Sequence, residues 1–332
     1  MRSLFLLILL FYAAIKPPFT QGQQRDRIFL GGQKPEKVFS GGFFTEGPAE
    51  GPDGDIYFSD LTFTSESGMQ AGYIWKFNPK TGKTVLYRSP SGMANGIAFD
   101  LKGNMLVAQS ADFGLRCLTK TDMKTGKSSI LAGLFEGKPF NSPNDLTMDK
   151  KGRLYFTDPR YTGHEKLEQS VMGVYRLDMD GKVSLIISDI PMPNGIAISP
   201  DEKTLYVGCY DEGSETEGLS RPARMEILSY SLNGDGSAIF RKVLLKFPPD
   251  AGGPDGMRLD EKGNIYVAIR NEASPSLKVF SPEGQEIASL SLPEVPSSLA
   301  FSRKSGENYL YITAGKSLYR IKTLNKGYFI SK

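Results

Sequence analysis

The chain has 332 residues, enough for one large domain or two ordinary ones with a substantial buried core. Its formal net charge is only +3 and it lacks a block of lysine and arginine, which argues against a nucleic-acid partner. A single histidine and two cysteines, without a CxxC or HExxH motif, exclude a zinc site rich in His or Cys. We predict that Cys117 and Cys209, each in or beside a strand-like run, are buried thiols rather than a disulfide.

The first segment, residues 1–22, is predicted to be a secretory signal peptide. It reads MRSLFLLILLFYAAIKPPFTQG, with a positive charge at Arg2, an apolar run over residues 4–15 and then a polar stretch. That run is short for a membrane span, so a signal peptide is favoured and a single N-terminal anchor is the alternative. The sequence therefore predicts an exported protein, periplasmic or secreted, that keeps no membrane span after cleavage.

A phrase made of a small polar residue, a short apolar run, a turn and a second β-rich run recurs along the rest of the chain. MANGIAFDLKGNMLVA, MPNGIAISPDEKTLYV and GPDGMRLDEKGNIYVA are three of six copies, which follow one another at intervals of about fifty residues. The polar residues of the copies, called here the key residues, are Glu46, Asn95, Asn144, Asn194, Asp255 and Ser298. A repeat of this length is typical of propellers, in which one unit cannot bury its faces alone.

Each copy predicts four antiparallel strands, which is the content of one propeller blade. In the second copy the strands are GIAFD, MLVA, LRCLTK and SSILAG, and the turn DLKGN separates the first two. The sixth copy lacks a fourth strand after SLYRIK, whereas residues 37–40 form a strand that precedes the first copy. We therefore predict an all-β fold, a six-bladed β-propeller over residues 23–332 that forms a single domain. Its ring is closed by the N-terminal strand, which removes exposed sheet edges.

The six key residues are expected to converge at one end of the central channel, because the first strand of each blade lines that channel. They supply two carboxylates, three amides and one hydroxyl, which are hard oxygen donors. Such donors favour one divalent metal ion, Ca²⁺ first, with Zn²⁺, Mn²⁺ or Mg²⁺ as alternatives. Asn-Gly and Asp-Gly are also common turn formers, so one copy taken alone favours a turn. The variation among otherwise similar copies, with the acids in blades one and five, favours the metal site.

Four motifs together resemble the gluconolactonase/senescence-marker-protein/luciferin-regenerating-enzyme family of six-bladed propellers. They are EGPAEGPDGDIYFSD, NSPNDLTMDKKGRLYFTDPRY, PNGIAISPDEKTLYV and GPDGMRLDEKGNIYVA, and the resemblance spans about residues 39–322. At Ser142 the chain departs from some mammalian relatives, which carry Arg two positions before the channel Asn. The S-P-N-D form at this point resembles that of bacterial lactonases in the family.

The resemblance implies roles for four of the key residues. The metal ligands that it implies are Glu46, Asn144, Asn194 and Asp255. Asn144 is expected to contact the metal or its water as well as the substrate. Asp255 is expected to be the general base in addition to its role as a ligand.

Long connections between the second and third strands of a blade are expected on the face that carries the key residues, where loops set specificity. These connections are residues 61–70 in blade one, 159–171 in blade three and 210–224 in blade four. The candidate substrate-binding residues are Asn95, Asn144, Arg160, Tyr161 and His164. A surface histidine such as His164 is more often merely solvated. Asp158, at the end of a strand, is expected to be structural.

The predicted function is the opening of a sugar lactone by a metal-activated water, with Asp255 as base and Asn144 or Asn95 holding the oxyanion. The chain lacks the G-x-S-x-G motif of serine hydrolases. One alternative is a phosphotriesterase or organophosphatase, and another is a non-catalytic, calcium-stabilised binding propeller. A strictosidine-synthase-like enzyme is the remaining alternative.

Overall fold

The architecture is taken from a computed structural model that describes residues 28–63, 68, 72–216, 219–303 and 307–330. The side chains of residues 214–216, 219–221 and 249 are not described. The predicted signal peptide, residues 1–22, lies outside these ranges, as does most of the blade-one loop. The chain forms six sheets of four antiparallel strands each, which confirms the predicted six-bladed β-propeller.

The first three blades follow the order of the sequence, with neighbouring strands paired in succession. The strands of blade one are Thr45–Glu50, Ile56–Asp60, Tyr73–Asn78 and Lys83–Arg88. Those of blade two are Ala94–Phe99, Met105–Gln109, Cys117–Thr121 and Ser128–Ala132. Those of blade three are Leu146–Met148, Leu154–Asp158, Gly173–Leu177 and Val183–Ile187.

The last three blades repeat this pattern, and the sixth borrows its outer strand from the N-terminal side. Blade four contains Pro193–Ile198, Thr204–Asp211, Arg224–Leu232 and Ala238–Lys246. Blade five contains Gly253–Leu259, Ile265–Arg270, Ser276–Phe280 and Glu286–Ser291. Blade six contains Pro296–Phe301, Tyr309–Ala314, Ser317–Lys322 and Glu36–Ser40. The additional elements are the hairpin Leu134–Phe135 with Lys138–Pro139, the hairpin Ser214–Thr216 with Leu219–Arg221, and a 3-10 helix, Pro249–Ala251.

The ring closes as the sequence predicted, because Glu36–Ser40 pairs antiparallel with Ser317–Lys322. The Phe39 ring lies 5.2 Å from the rings of both Phe58 and Trp75 in blade one. The closing strand therefore joins the last blade to the first through backbone hydrogen bonds on one side and aromatic packing on the other.

The core lies between neighbouring blades and around the axis. The first strands of adjacent blades contact one another, and in blade four every residue of Pro193–Ile198 is buried. At the end of the channel opposite to the key residues, the C-terminal residues Tyr328, Phe329 and Ile330 line a mainly apolar cavity of about 180 Å³. One end of the channel is therefore closed by the apolar C-terminal residues. The polar key residues lie at the other end.

Cys117 and Cys209 are buried and are not joined in a disulfide, as predicted. The described ranges contain no helix with the length and apolarity of a membrane span.

Candidate active site

Most key residues lie at β-bulges inside the first strands. The pairing of the first and second strands shifts between Ala94 and Ile97, between Pro193 and Ile196, and between Pro254 and Met257. These shifts surround Asn95, Asn194 and Asp255, and a bulge changes the direction of a side chain at the end of a strand. The Asn-Gly and Asp-Gly pairs therefore do not act as turns.

Glycine follows four of the six key residues because the backbones of adjacent blades touch there. A Cβ atom on Gly47 would lie 2.0 Å from the carbonyl oxygen of Asn95, and one on Gly195 would lie 2.2 Å from that of Asp255. The same crowding sets Gly96 against the carbonyl oxygen of Asn144 and Gly256 against the hydroxyl of Ser298. Contacts this short admit only glycine, so consecutive key residues lie side by side.

Hydrogen bonds complete the ring of contacts between blades. The backbone N–H of Ile196 donates to Oδ2 of Asp145 at 3.4 Å, which links blades three and four. The Ser297 hydroxyl donates to the carbonyl oxygen of Thr45 at 2.6 Å, which links blades six and one. The six key positions therefore surround one axis at one end of the channel.

The four candidate metal ligands are buried in this ring. Their exposed fractions are 5% for Glu46, 8% for Asn144, 4% for Asn194 and 3% for Asp255. Burial raises the pKa of Glu46 well above its ordinary value, and the negative charge of Asp255 raises it further. Burial also raises the pKa of Asp255 to about 6, while Arg270 and a hydrogen bond with Asn194 oppose the rise. The structure thus brings Glu46, Asn194 and Asp255 within electrostatic reach of one another, with Asn144 in the same ring.

This set of donors fits a hard divalent cation. Two carboxylates buried near each other repel, and a divalent cation would offset both charges while amide oxygens fill further positions. In the part of the chain that the structure describes, no group of three or more His, Cys, Asp and Glu side chains could hold a metal ion. A cation here would therefore need the amide oxygens of Asn144 and Asn194 in addition to the carboxylates of Glu46 and Asp255.

Arg270 is a residue of this site that the sequence analysis missed. Its Nη1 donates to Oδ2 of Asp255 at 3.2 Å. Its guanidinium carbon lies 5.2 Å from the ring centre of Phe44 and 5.5 Å from that of Tyr210. The sequence signal for Arg270 was its positive charge at the end of an otherwise apolar strand. The sequence did not indicate its partners, because they come from three different blades.

A second ion pair, also missed, crosses the channel from blade five to blade three. Arg258 contacts the Asp145 carboxylate with both terminal nitrogens, at 3.0 and 3.3 Å. Asp145 also raises the pKa of Glu46 and Asp255. Charged residues inside buried strands need partners of opposite charge. The signal in the sequence was therefore the presence of Asp145 in the S-P-N-D motif and of Arg258 in the D-G-M-R motif.

Among the candidate substrate-binding residues, Asn95 and Asn144 are buried in the ring and Tyr161 reaches it from the blade-three loop. The Tyr161 hydroxyl donates to the carbonyl oxygen of Tyr210 at 3.2 Å. Tyr161 is 38% exposed overall, but desolvation around its hydroxyl raises its pKa well above the ordinary value and Asp255 adds to the rise. The blade-three loop therefore does lie on the face of the key residues.

Arg160 and His164 make their contacts within the loops. Nε and Nη2 of Arg160 both donate to the carbonyl oxygen of Asn141, at 3.1 and 2.7 Å, and the guanidinium pairs with Glu165 at 3.9 Å. His164 is exposed, and its ring lies 5.8 Å from that of Phe113. These contacts give Arg160 a part in shaping the loop, while a substrate role for either residue stays a prediction.

Asp158 is structural, as expected. It is fully buried and accepts hydrogen bonds from the backbone N–H groups of Asn141 and Ser142, at 2.8 and 2.6 Å. Burial raises its pKa to about 7, although these two donors oppose the rise. The carboxyl thereby fixes the segment that leads into Asn144.

Comparison with known proteins places the chain in a family. A family model described as the SMP-30/Gluconolactonase/LRE-like region matches residues 44–316. The chain belongs to this family. Gluconolactonase of Zymomonas mobilis is 32% identical over 301 residues, which are 83% of this chain and 79% of that protein. All six key residues of this SMP-30/gluconolactonase-family chain lie in the matched region.

Two further comparisons cover most of the SMP-30/gluconolactonase-family propeller. Diisopropyl-fluorophosphatase of Loligo vulgaris is 27% identical over 272 residues, 77% of this chain and 81% of that protein. The solved structure of a gluconolactonase from Xanthomonas campestris is 26% identical, with a TM-score of 0.70 over 86% of this chain and 88% of that one. The resemblance inferred from the sequence motifs is thus confirmed, and lactone hydrolases are among the similar proteins.

Proposed function

We propose that this protein is an exported hydrolase that opens a sugar lactone and depends on one divalent metal ion, most suitably Ca²⁺. The observation that carries the proposal is the buried pair Glu46 and Asp255 in one ring with the amides of Asn144 and Asn194. This oxygen-only set suits a calcium-like ion, and the similarity to gluconolactonases supports the lactone as substrate. Export rests on the signal-like residues 1–22.

The proposed mechanism assigns a task to each group in the ring. Glu46, Asn144, Asn194 and Asp255 would hold the cation, which when bound polarises a carbonyl and makes water more acidic. Asp255 takes a proton from the attacking water as general base. The amides of Asn144 and Asn95 donate to the oxyanion that forms. The ring C–O bond then breaks, the ring oxygen takes up the proton, and a hydroxy acid results.

The test is acid release from δ-gluconolactone by protein that has been treated with a chelator and then supplied with Ca²⁺, Zn²⁺, Mn²⁺ or Mg²⁺. We expect turnover only with an added ion. Asp255→Asn and Glu46→Gln should each lower kcat/KM by about 10³-fold or more, since they remove a base and charged donors. Circular dichroism should show that both variants keep the fold.

Matched controls are Asp180→Asn and Glu283→Gln, which make the same chemical changes at exposed turns. Both should hydrolyse lactone at the wild-type rate. Full activity after chelation, or in Asp255→Asn, would contradict the proposed mechanism. An increase in melting temperature with metal but without any hydrolysis would instead favour a binding propeller.

Organophosphate hydrolysis is the second candidate function, and the similarity to diisopropyl-fluorophosphatase favours it. A phosphoryl oxygen can bind a cation in the same way as a lactone carbonyl. Diisopropyl fluorophosphate should therefore be assayed beside δ-gluconolactone. A higher kcat/KM for the phosphorus ester would reverse the order of the two candidates.

A further inference from the structure

Arg270 contacts the buried ring through Asp255 and also lines a surface cavity with Tyr210, Glu212 and Asn271. It is the last residue of the strand Ile265–Arg270, which pairs with the strand that carries Asp255. The Arg270 side chain is 28% exposed, whereas that of its partner Asp255 is 4% exposed. One side of the guanidinium therefore faces the candidate base and another part remains accessible.

The guanidinium is held by aromatic rings from two other blades. Its carbon lies 5.2 Å from the centre of the Phe44 ring in blade one and 5.5 Å from that of the Tyr210 ring in blade four. The Tyr210 hydroxyl donates to Glu212 at 2.9 Å, which fixes that ring in turn. A guanidinium ordered before a ligand arrives loses little conformational entropy when it binds.

Arg270 also has donors to spare. Within the described residues, the polar groups that it reaches are the Asp255 carboxylate, through Nη1, and the Tyr210 hydroxyl. A guanidinium carries five N–H donors, so several remain for a ligand beside Asp255.

Arg258 shows what a purely structural guanidinium looks like in the same channel. Its Nη1 donates to the Asp145 carboxylate at 3.0 Å and to the Met257 carbonyl oxygen at 2.7 Å, and its Nη2 donates to Asp145 at 3.3 Å. Both terminal nitrogens of Arg258 are therefore used by the protein. Neutralising Asp255 alone would not require the accessible position and the unused donors of Arg270.

We propose that Arg270 is a catalytic residue that binds the carbonyl oxygen of the lactone and then the carboxylate of the ring-opened acid. The inference rests on the proposed lactonase function and deepens it. The water oxygen bonds to the carbonyl carbon while its proton passes to Asp255, and the carbonyl electron pair moves onto the oxygen that faces Arg270. The ring C–O bond then breaks and the ring oxygen takes the proton. Charge-assisted donation by Arg270 is strongest when that oxygen carries full negative charge.

The test compares Arg270→Gln and Arg270→Lys with the wild type in kinetics and in binding. In Arg270→Gln, kcat should fall by about 10² to 10³-fold and KM should change much less, since the donor acts mainly in the transition state. Titration calorimetry with D-gluconate on calcium-loaded protein should show affinity weakened about tenfold or more. Arg270→Lys keeps the positive charge but loses the planar set of donors. Its kcat and gluconate affinity should therefore lie between those of Arg270→Gln and those of the wild type.

Calcium titration separates substrate contact from a role through Asp255. If Arg270 binds the acid, calcium affinity in Arg270→Gln stays equal or rises, because a nearby positive charge has been removed. If gluconate affinity is unchanged while calcium affinity falls, Arg270 only positions Asp255 and the proposal is overturned. The control is Arg320→Gln, since Arg320 also pairs with a carboxylate, that of Glu36, and lies 5.0 Å from the ring of Tyr309, but outside the channel. Gluconate and calcium affinities of that variant should match the wild type.

The outcomes for this inference and for the proposed function are distinguishable. Wild-type protein that binds gluconate through Arg270 but opens no lactone would refute the lactonase and leave Arg270 as a carboxylate-binding residue. Wild-type protein that opens lactones but binds no gluconate, with kcat unaffected in Arg270→Gln, would refute the role of Arg270 and leave the lactonase.

Discussion

At the scale of single residues, Asp158 is a buried carboxyl whose ionisation should set part of the pH dependence of stability. Burial raises its pKa to about 7 in the folded protein, above its ordinary value of 3.8. The stability that it contributes is thus fully present below about pH 4 and is lost as the pH rises through about 7. Asp158→Asn removes this dependence, so its free energy of unfolding relative to the wild type should rise by about 3 kcal/mol between pH 5 and 8. Urea unfolding at several pH values measures this difference.

Asp122→Asn is the control for this prediction. Asp122 is exposed and accepts hydrogen bonds from the backbone N–H groups of Thr125 and Lys124, which lower its pKa. Its contribution is therefore present above its ordinary pKa and is lost only at lower pH. The difference between Asp122→Asn and the wild type should stay constant from pH 5 to 8. Equal slopes in the two variants would show that Asp158 is not the source.

The key residues were predictable from the sequence because the repeat aligns them without any knowledge of contacts. Glu46 and Asp255 stood out as acids at a position that is Asn in other copies. The surroundings of Arg270 were not predictable, because the Phe44 and Tyr210 rings that hold it lie on other blades. The Asp145–Arg258 pair was not predictable either, since it joins blades three and five and only folding brings them together. Alignment of the repeat gives no information on substrate contact by Arg160 or His164, because both lie in a loop outside the repeated segments.

At the scale of elements, the strands followed from alternating apolar residues and turn signals, but the bulges did not. A bulge depends on the register of two strands, and the need for Gly195 depends on a neighbouring blade. The C-terminal residues 328–330 were also missed, because they cross the end of the channel outside the repeat. Periodicity therefore predicted which segments pair, and tertiary proximity decided how their ends are shaped.

Gly195→Ala tests the close approach of blades four and five. The new methyl group would lie 2.2 Å from the carbonyl oxygen of Asp255, and backbone atoms cannot give way as a flexible side chain can. We expect a loss of about 3 kcal/mol or more in the free energy of unfolding, together with weaker calcium binding because Asn194 and Asp255 are pushed apart. Gly234→Ala is the control, since a Cβ atom there meets nothing within 4 Å. Urea unfolding and calcium titration should leave Gly234→Ala close to the wild type.

At the scale of the whole molecule, ring closure was predictable because six copies of one unit left a strand missing at one end and a strand spare at the other. The pairing of Glu36–Ser40 with Ser317–Lys322 confirms it. Ring closure makes the first and last blades neighbours. The stability of the whole propeller therefore depends on the short closing strand, which is far from the candidate site. The packing of Phe39 onto blade one was not readable from the sequence, because it joins residues of two different blades.

Phe39→Ala tests whether the closing strand stabilises the whole propeller. The substitution removes ring contacts to Phe58 and Trp75, and for a half-buried Phe we expect a loss of about 2 kcal/mol. Trp75 is the single tryptophan of the chain, so its fluorescence reports directly on the closure. If the propeller unfolds as one unit, the transitions seen by fluorescence and by circular dichroism should shift together to lower urea concentration.

The control is Phe240→Ala, which deletes a phenyl ring that is 49% exposed on an outer strand of blade four and should cost under about 1 kcal/mol. Equal shifts in the two variants would mean that closure adds no stability beyond ordinary surface packing.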